Sequence, residues 1–147
     1  MKPIIGYANL RKGRCSQLNH VYHCTFTTLN NEPFFQEFNS ARMLISILRI
    51  DEEKGLTKTY SFVVMPNHVH WLFELKKGSL SLAVKRIKSI YSWRKKRKIW
   101  NAGFYDHAIR KNEDLVSTAR YIVANPLRAG LVDNIGDYPH WDSIWLG

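Results

Sequence analysis

The segment from Leu56 to Leu75, LTKTYSFVVMPNHVHWLFEL, constrains the fold more than any other part of this chain. Two runs rich in β-branched and aromatic residues are separated only by Pro66 and Asn67, a sequence typical of antiparallel strands joined by a tight turn. Side chains alternate along a strand, so His68 and His70 are expected to share one face of the second run. The opposite face then carries the apolar residues Val69, Trp71, Phe73 and Leu75.

The rest of the chain is predicted to supply two more strands and three helices. Strand-like composition marks residues 20–28 and 103–109, and helical periodicity marks 38–53, 79–98 and 112–126. Asn112 is expected to cap the last helix, which must end by Pro126. This order predicts an α+β fold, a ferredoxin-like antiparallel sheet with helices packed mainly on one face. The other sheet face would stay available for chemistry.

Length and charge limit the number of domains and the kind of partner that this chain can have. A chain of 147 residues is expected to form a single domain, 1–147, with a basic N-terminal arm over 1–19 and a C-terminal tail over 133–147. Its 22 Lys and Arg against 12 Asp and Glu give a net charge of +10, which favours a polyanionic partner such as nucleic acid over a merely basic protein. Two cysteines, no signal peptide and no long apolar run predict a cytoplasmic protein without a membrane partner.

The two histidines of the HVH motif can converge on one metal ion, because their side chains leave the strand on the same face. The alternative is a pair of half-buried histidines that only form hydrogen bonds. A competing zinc site could use Cys15, His20, His23 and Cys24. It is disfavoured, because adjacent residues of a strand point to opposite faces.

Tyr121 stands out in the last predicted helix. It falls nearly opposite the apolar stripe, and Asn125 follows four residues later on its own face. This position indicates a functional role for Tyr121, and an ordinary surface tyrosine is the alternative. Because Pro126 disfavours helical geometry at the preceding residue, the alignment of Tyr121 with Asn125 is approximate. The apolar stripe consists of Leu115, Val116, Ala119, Ile122 and Val123.

Three separated segments, MPNHVH, GFYDHAIR and RYIVANPLRAGLV, together resemble the REP-associated tyrosine transposases, which are relatives of the single-tyrosine HUH transposases. HUH denotes two histidines around a bulky hydrophobic residue. The resemblance implies that His68 and His70 bind a divalent metal, Mg²⁺ or Mn²⁺, with Asn125 as the third ligand. It also implies that Tyr121 is the nucleophile and that the fold is ferredoxin-like.

The implied activity is that of a DNA strand transferase and nickase. Such enzymes cut single-stranded DNA beside palindromic hairpins and rejoin it through a 5′-phosphotyrosine intermediate, and this protein would then be a nucleoid-associated monomer or homodimer. The metal would polarise the phosphate, and the phosphotyrosine link would conserve the energy of the cleaved phosphodiester bond. A phenol has a pKa of about 10, so the metal or a nearby base must assist. Asp106 and His107 are candidates for the base, and a structural role is the alternative for both.

Basic side chains are predicted to bind the DNA backbone, although a solvated charged face is the alternative for any one of them. Trp93 or Trp100 could stack on bases. By resemblance, the N-terminal arm would read a short DNA tag beside the hairpin. The predicted contacts are Arg11, Lys12, Arg14, Lys85, Arg86, Lys88, Arg94, Lys95, Arg97 and Arg110.

Two other functions remain open from the sequence. One is a nucleic-acid-binding module without chemistry, in which Tyr22, Phe26 and Tyr60 on the sheet stack bases. The other is a replication-initiator or relaxase nickase, which shares the chemistry but commonly places its tyrosine before the histidines. The joint presence of His68, His70, Tyr121 and Asn125 favours the transposase-like enzyme.

Overall fold

Nine regular elements follow one another in the computed structural model, which describes residues 16–145. Short 3₁₀ turns connect some of them. In chain order the elements are β1 (Val21–Thr27), α1 (Phe38–Glu53), β2 (Thr57–Met65), β3 (His68–Leu75), α2 (Leu80–Lys95), β4 (Tyr105–Ile109), α3 (Asn112–Val123), α4 (Asn125–Arg128) and β5 (Trp141–Ser143).

The strands form one sheet in the order β4-β1-β3-β2-β5, with antiparallel pairing throughout. The first four strands have the ferredoxin-like arrangement, so the predicted fold class is confirmed. Strand β5 was not predicted, and it lies in the segment expected to be a tail. A strand of three residues is too short to show an alternation of apolar and polar side chains. Strand β5 forms because the edge of β2 has unpaired backbone N–H and C=O groups. Nearby, the Tyr138 hydroxyl donates to the Val64 carbonyl at 2.6 Å.

The main core lies between one face of the sheet and helices α1 and α2. Trp71 and Phe73 of β3 are fully buried there against Leu44 and Leu48 of α1 and Ile87 of α2. The sequence predicted both helices, but α2 ends earlier than expected. Lys96 adopts a left-handed conformation with φ of 58°, which closes the helix after Lys95.

A second, smaller core lies on the opposite face of the sheet. Ala119 and Ile122 of α3 pack there against Val63, Met65 and Leu72 of the central strands. In the sheet register Val63 is opposite His70, and Met65 is opposite His68. Helix α3 therefore covers part of the face that carries the two histidines.

The predicted last helix is divided in two. Helix α3 ends at Val123, and α4 begins at Asn125 after a single intervening residue. Pro126 has no backbone N–H to continue the ladder of hydrogen bonds, which explains the break. The expected N-cap also shifts: Lys111 occupies that position, and Asn112 is the first helical residue. Tyr121 and Asn125 thus belong to consecutive helices rather than to one.

Asp51 is buried, and its carboxylate holds α1, α2 and β2 together. It accepts hydrogen bonds from Arg86 Nε at 2.6 Å, from Arg86 Nη2 at 3.0 Å and from the Thr57 hydroxyl at 2.7 Å. Arg86, one of the residues predicted to bind DNA, thus has its guanidinium paired with a buried carboxylate, while its side chain is 26% exposed.

We expect Asp51→Ala to lower the free energy of unfolding by about 3 kcal/mol, because the change leaves the Arg86 charge without its partner. Urea denaturation measures the effect. Glu32→Ala is the control, because Glu32 pairs with Arg97 at 3.1 Å with both side chains about half exposed. That variant should lose less than about 1 kcal/mol. Equal losses in the two variants would show that the buried pair contributes no more to the free energy of unfolding than the exposed pair.

Candidate active site

His68 and His70 lie side by side on the face of β3 that α3 partly covers. Their ring centroids are 5.0 Å apart, and the ring planes are inclined by 81°. Burial lowers the pKa of His68, and it lowers that of His70 to about 3, with smaller contributions from the charges of His23, His68 and Arg128. Both imidazoles are therefore neutral near pH 7, the form that binds metal ions.

Each of the two imidazoles uses its Nδ1 atom in a hydrogen bond within the protein. His68 Nδ1 lies 2.7 Å from the Asn67 side-chain oxygen, which can only accept, so the nitrogen donates. His70 Nδ1 lies 2.9 Å from His23 Nε2 and 3.1 Å from the Thr25 hydroxyl. The Nε2 atom of neutral His68 therefore carries a lone pair for a ligand. His70 has the same arrangement in the tautomer whose Nδ1 donates, because His23 Nε2 and the Thr25 hydroxyl can each accept. Partners of this kind fix ring orientation in metal sites.

His23 is a member of this cluster that the sequence did not assign to it. It lies on β1, and burial followed by the charge of His107 lowers its pKa to about 4. In the register His23 is opposite Leu72 and His107, so all three share the face of His70. The alternation in VYHCTFT separates His23 from Cys24, but only the pairing of β1 with β3 shows which face His23 occupies.

The two proposed bases on β4 lie on different faces of the sheet. His107 is exposed and is the cross-strand partner of His23, whereas Asp106 is the partner of Cys24, which is buried in the main core. Asp106 therefore points away from His68 and His70, and it is rejected as a base for this site. His107 stays a candidate.

Tyr121 is 54% exposed and lies on α3, away from the apolar stripe of that helix. The Arg128 guanidinium covers its ring, with Cζ 3.8 Å from the ring centroid, and Arg128 Nη2 donates to the Tyr121 carbonyl at 2.8 Å. The charge of Arg128 is the smallest of the contributions that lower the pKa of His70.

Asn125 opens α4, and its side-chain nitrogen is buried without a hydrogen-bond partner among residues 16–145. The two ends of an amide are assigned from their hydrogen bonds. A rotation of the Asn125 amide by 180° would exchange its oxygen and nitrogen. The oxygen, which can bind a metal ion, would then occupy the position where the nitrogen forms no hydrogen bond. The residue is therefore compatible with the ligand role that the resemblance implies.

A metal at this position would depend on two imidazoles and an amide. Within the part of the chain that the structure describes, no three His, Cys, Asp or Glu side chains come together to hold a metal ion. The alternative zinc site is not assembled either: His23 and Cys24 occupy opposite faces of β1, and Cys15 lies outside the described residues. The chemistry of the donor set, with neutral nitrogen and amide oxygen, suits a divalent ion.

A model of the family described as "Transposase IS200 like" matches residues 16–125. The chain belongs to this family. The matched range includes the histidine cluster, Tyr121 and Asn125.

Similar proteins agree with the motif-based resemblance to REP-associated tyrosine transposases, which is thereby confirmed. The protein described as REP-associated tyrosine transposase from Escherichia coli (strain K12) is 33% identical over 82 residues, covering 54% of this chain and 50% of the relative. A Haemophilus influenzae protein is 26% identical over 100 residues, covering 56% and 57% respectively. This chain thus spans about half the length of the curated relatives it matches.

A solved structure described as a REP-associated tyrosine transposase bound to a REP hairpin has the same fold. It superposes with a TM-score of 0.74 at 23% identity, covering 87% of this chain and 79% of its own. In the described part of this chain, no helix has the length and apolar character needed to cross a bilayer.

The helix predicted to bind DNA, α2, lies on the other face of the sheet from the histidines. Lys88 Nζ donates to the carbonyls of Asn101 and Gly103, each at 2.8 Å, so the ammonium of this predicted DNA contact is engaged within the protein, as is the guanidinium of Arg86. Lys95 is half-buried beside Ser40. The exposed basic residues that stay predicted contacts are Lys85, Arg94, Arg97 and Arg110, whereas Arg11, Lys12 and Arg14 lie outside the described residues.

The aromatic residues considered for base stacking differ in accessibility. Trp93 is 78% exposed, whereas Trp100, Tyr22 and Phe26 are buried in the main core. Tyr60 donates its hydroxyl to Glu74 at 2.8 Å. The binding-only alternative placed Tyr22 and Phe26 against bases, and their burial contradicts that arrangement.

Proposed function

We propose that this chain is a metal-dependent enzyme that cleaves and rejoins single-stranded DNA beside palindromic hairpins through a 5′-phosphotyrosine intermediate. The observation that supports this most directly is the Arg128 guanidinium on the ring of Tyr121, with Cζ 3.8 Å from the ring centroid. This tyrosine lies on the helix that packs over the sheet face of two neutral imidazoles, so one face of the protein carries a nucleophile, a phosphate-binding cation and metal ligands.

His68 and His70, through Nε2, and Asn125, through its side-chain oxygen, would hold a divalent ion. When bound, Mg²⁺ or Mn²⁺ would neutralise charge on the scissile phosphate and orient it for attack. The protein contributes the fixed ring orientations: Asn67 holds His68, and His23 with Thr25 holds His70.

Tyr121 would act as the nucleophile. Its phenolic oxygen forms a bond to phosphorus while the bond from phosphorus to the 3′ oxygen breaks, and the departing 3′ oxygen gains the proton that the phenol loses. A 3′ hydroxyl of a second strand end then reverses the step and rejoins the DNA. Arg128 is placed to bind a non-bridging phosphate oxygen beside Tyr121, because a guanidinium forms strong hydrogen bonds to phosphate. Exposed His107 is the candidate base on the same sheet face.

A DNA hairpin is the proposed substrate, since a structure with the same fold is described as bound to a REP hairpin. The net charge of +10 fits a nucleic-acid partner. Lys85 on α2 and Arg110 directly after β4 are exposed basic residues.

Covalent capture tests the proposal. With Mn²⁺ or Mg²⁺, a hairpin-bearing single-stranded oligonucleotide should form an adduct with the protein that survives denaturing electrophoresis. EDTA should abolish the adduct, because the phosphate would lose its only divalent counter-charge. The control is the fully duplex form of the same oligonucleotide, which should give no adduct. Adduct formation that is equal with and without EDTA would contradict the metal-dependent reaction.

A further inference from the structure

An open cavity of about 490 Å³ lies beside the β4 edge of the sheet, between α2 and the segment 98–104. This volume is within the range of roughly 300 to 1,000 Å³ that is typical of small-molecule sites. It lies outside the histidine cluster, and none of the residues discussed for the phosphoryl-transfer step contributes to its walls.

The chemistry of the walls suits a nucleotide. Val84, Ile99, Trp100 and Phe104 give the cavity an apolar and aromatic floor against which a planar base can pack. Lys85 and Lys98 are exposed, and both line it, so positive charge surrounds the opening. Among the described residues, no carboxylate lines the cavity. A base with an attached phosphate matches this combination of an apolar floor and a basic rim.

The cavity is connected to the candidate active site through the end of β1. Asn101, in its wall, donates from Nδ2 to the Thr27 hydroxyl at 2.8 Å and from its backbone N–H to the Thr27 carbonyl at 3.0 Å. Thr27 is the cross-strand partner of His68. The wall of the cavity is therefore attached to the row of residues that carries the first histidine.

Tyr105 lies between the cavity and the histidine cluster. It follows Phe104 directly, is 53% exposed, and is the cross-strand partner of Thr25, which contacts His70. Two strand spacings, about 10 Å, separate the backbones of Tyr105 and His70. Because β4 is the edge strand, a DNA strand leaving the histidines can pass Tyr105 and turn round the edge into the cavity.

We propose that this cavity binds an unpaired nucleotide of the single-stranded DNA that crosses β4, with the base on Trp100 and Phe104 and the phosphate near Lys85 and Lys98. The proposal rests on the proposed function for the identity of the strand. It adds a binding subsite on the sheet face opposite the histidines.

Filling the cavity tests the proposal. Ser89 lines it and is exposed, so Ser89→Trp places a large side chain in the opening without altering the core. In EDTA, the affinity of this variant for oligothymidylate, measured by fluorescence anisotropy, should fall about tenfold, the value of one lost base contact. Leu82→Trp is the matched control, because Leu82 is an exposed residue of α2 outside the cavity, and its affinity should equal that of the wild type.

Photocrosslinking supplies a second measurement that needs no variant. Oligothymidylate containing 5-iododeoxyuridine should crosslink to the tryptic peptide spanning 99–110, and competition with unlabelled oligothymidylate should remove the crosslink. Affinity of Ser89→Trp equal to that of Leu82→Trp, or crosslinks confined to other peptides, would overturn the proposal. If Ser89→Trp does not fold, as judged by circular dichroism, the crosslinked peptide alone decides.

The adduct assay separates this proposal from the proposed function. A wild-type adduct together with no effect of Ser89→Trp on affinity rejects the cavity and retains the chemistry. Weakened binding by Ser89→Trp with no wild-type adduct rejects the chemistry and retains the cavity as a nucleotide site.

Discussion

Tyr121→Phe is expected to abolish the covalent adduct with hairpin DNA while leaving the affinity for that DNA close to the wild-type value. The change removes only the phenolic oxygen, which would form the bond to phosphorus, and keeps the ring beneath Arg128. Loss of a covalent nucleophile lowers such a rate by at least about a thousandfold. Denaturing electrophoresis measures the adduct, and fluorescence anisotropy in EDTA measures the affinity.

Tyr60→Phe provides the control for this prediction. Tyr60 packs on the same sheet face as α3, and its hydroxyl donates to Glu74 instead of facing the histidine cluster. This variant should still form the adduct. Adduct yields that are equal for Tyr121→Phe and the wild type would identify a different nucleophile and reject the proposed reaction.

His70→Ala is expected to lower the affinity of the protein for Mn²⁺ by more than about a hundredfold. It removes one of the two imidazoles proposed as metal ligands, and loss even of a hydrogen-bonding partner behind a metal ligand typically costs ten- to a hundredfold. Calorimetric titration of Mn²⁺ without DNA measures this directly, so the result does not depend on activity. His23→Gln should give a smaller loss of about tenfold, because it removes the imidazole that lies 2.9 Å from His70 Nδ1 and orients the His70 ring.

His20→Ala is the matched control for the metal titration. His20 is an exposed histidine just before β1 and takes no part in the cluster of His23, His68 and His70. Its Mn²⁺ affinity should equal that of the wild type. If His70→Ala, folded by circular dichroism, binds Mn²⁺ as tightly as His20→Ala, the metal is held elsewhere and the assigned ligands are wrong.

The local patterns in the sequence were sufficient for the ferredoxin-like part of the fold. Alternation in HVHWLFEL separated His68 and His70 from the apolar residues, and helical periodicity located α1 at Phe38–Glu53. These features are encoded within one element, where side-chain spacing alone decides which face a residue takes. The Pro66–Asn67 turn likewise needed no tertiary information.

Features that depend on contacts between distant elements could not be predicted in the same way. His23 reaches His70 only because β1 pairs with β3 in one register, and Arg86 is neutralised by Asp51 from another helix. Arg128 covers Tyr121 because the chain breaks and restarts its helix at Asn125. Strand β5 depends on an open sheet edge and not on its own three residues.

The division of the apolar side chains between two sheet faces gives the protein unequal local stabilities. Helix α3 is held by a small cluster around Ala119 and Ile122, whereas α1 and α2 share the large core around Trp71 and Phe73. Elements with few buried apolar neighbours open at lower free energy than the core. Transient separation of α3 from the sheet would therefore cost less than global unfolding. The tyrosine is thus carried by an element that can separate from the sheet at lower free energy than the central strands that hold the histidines.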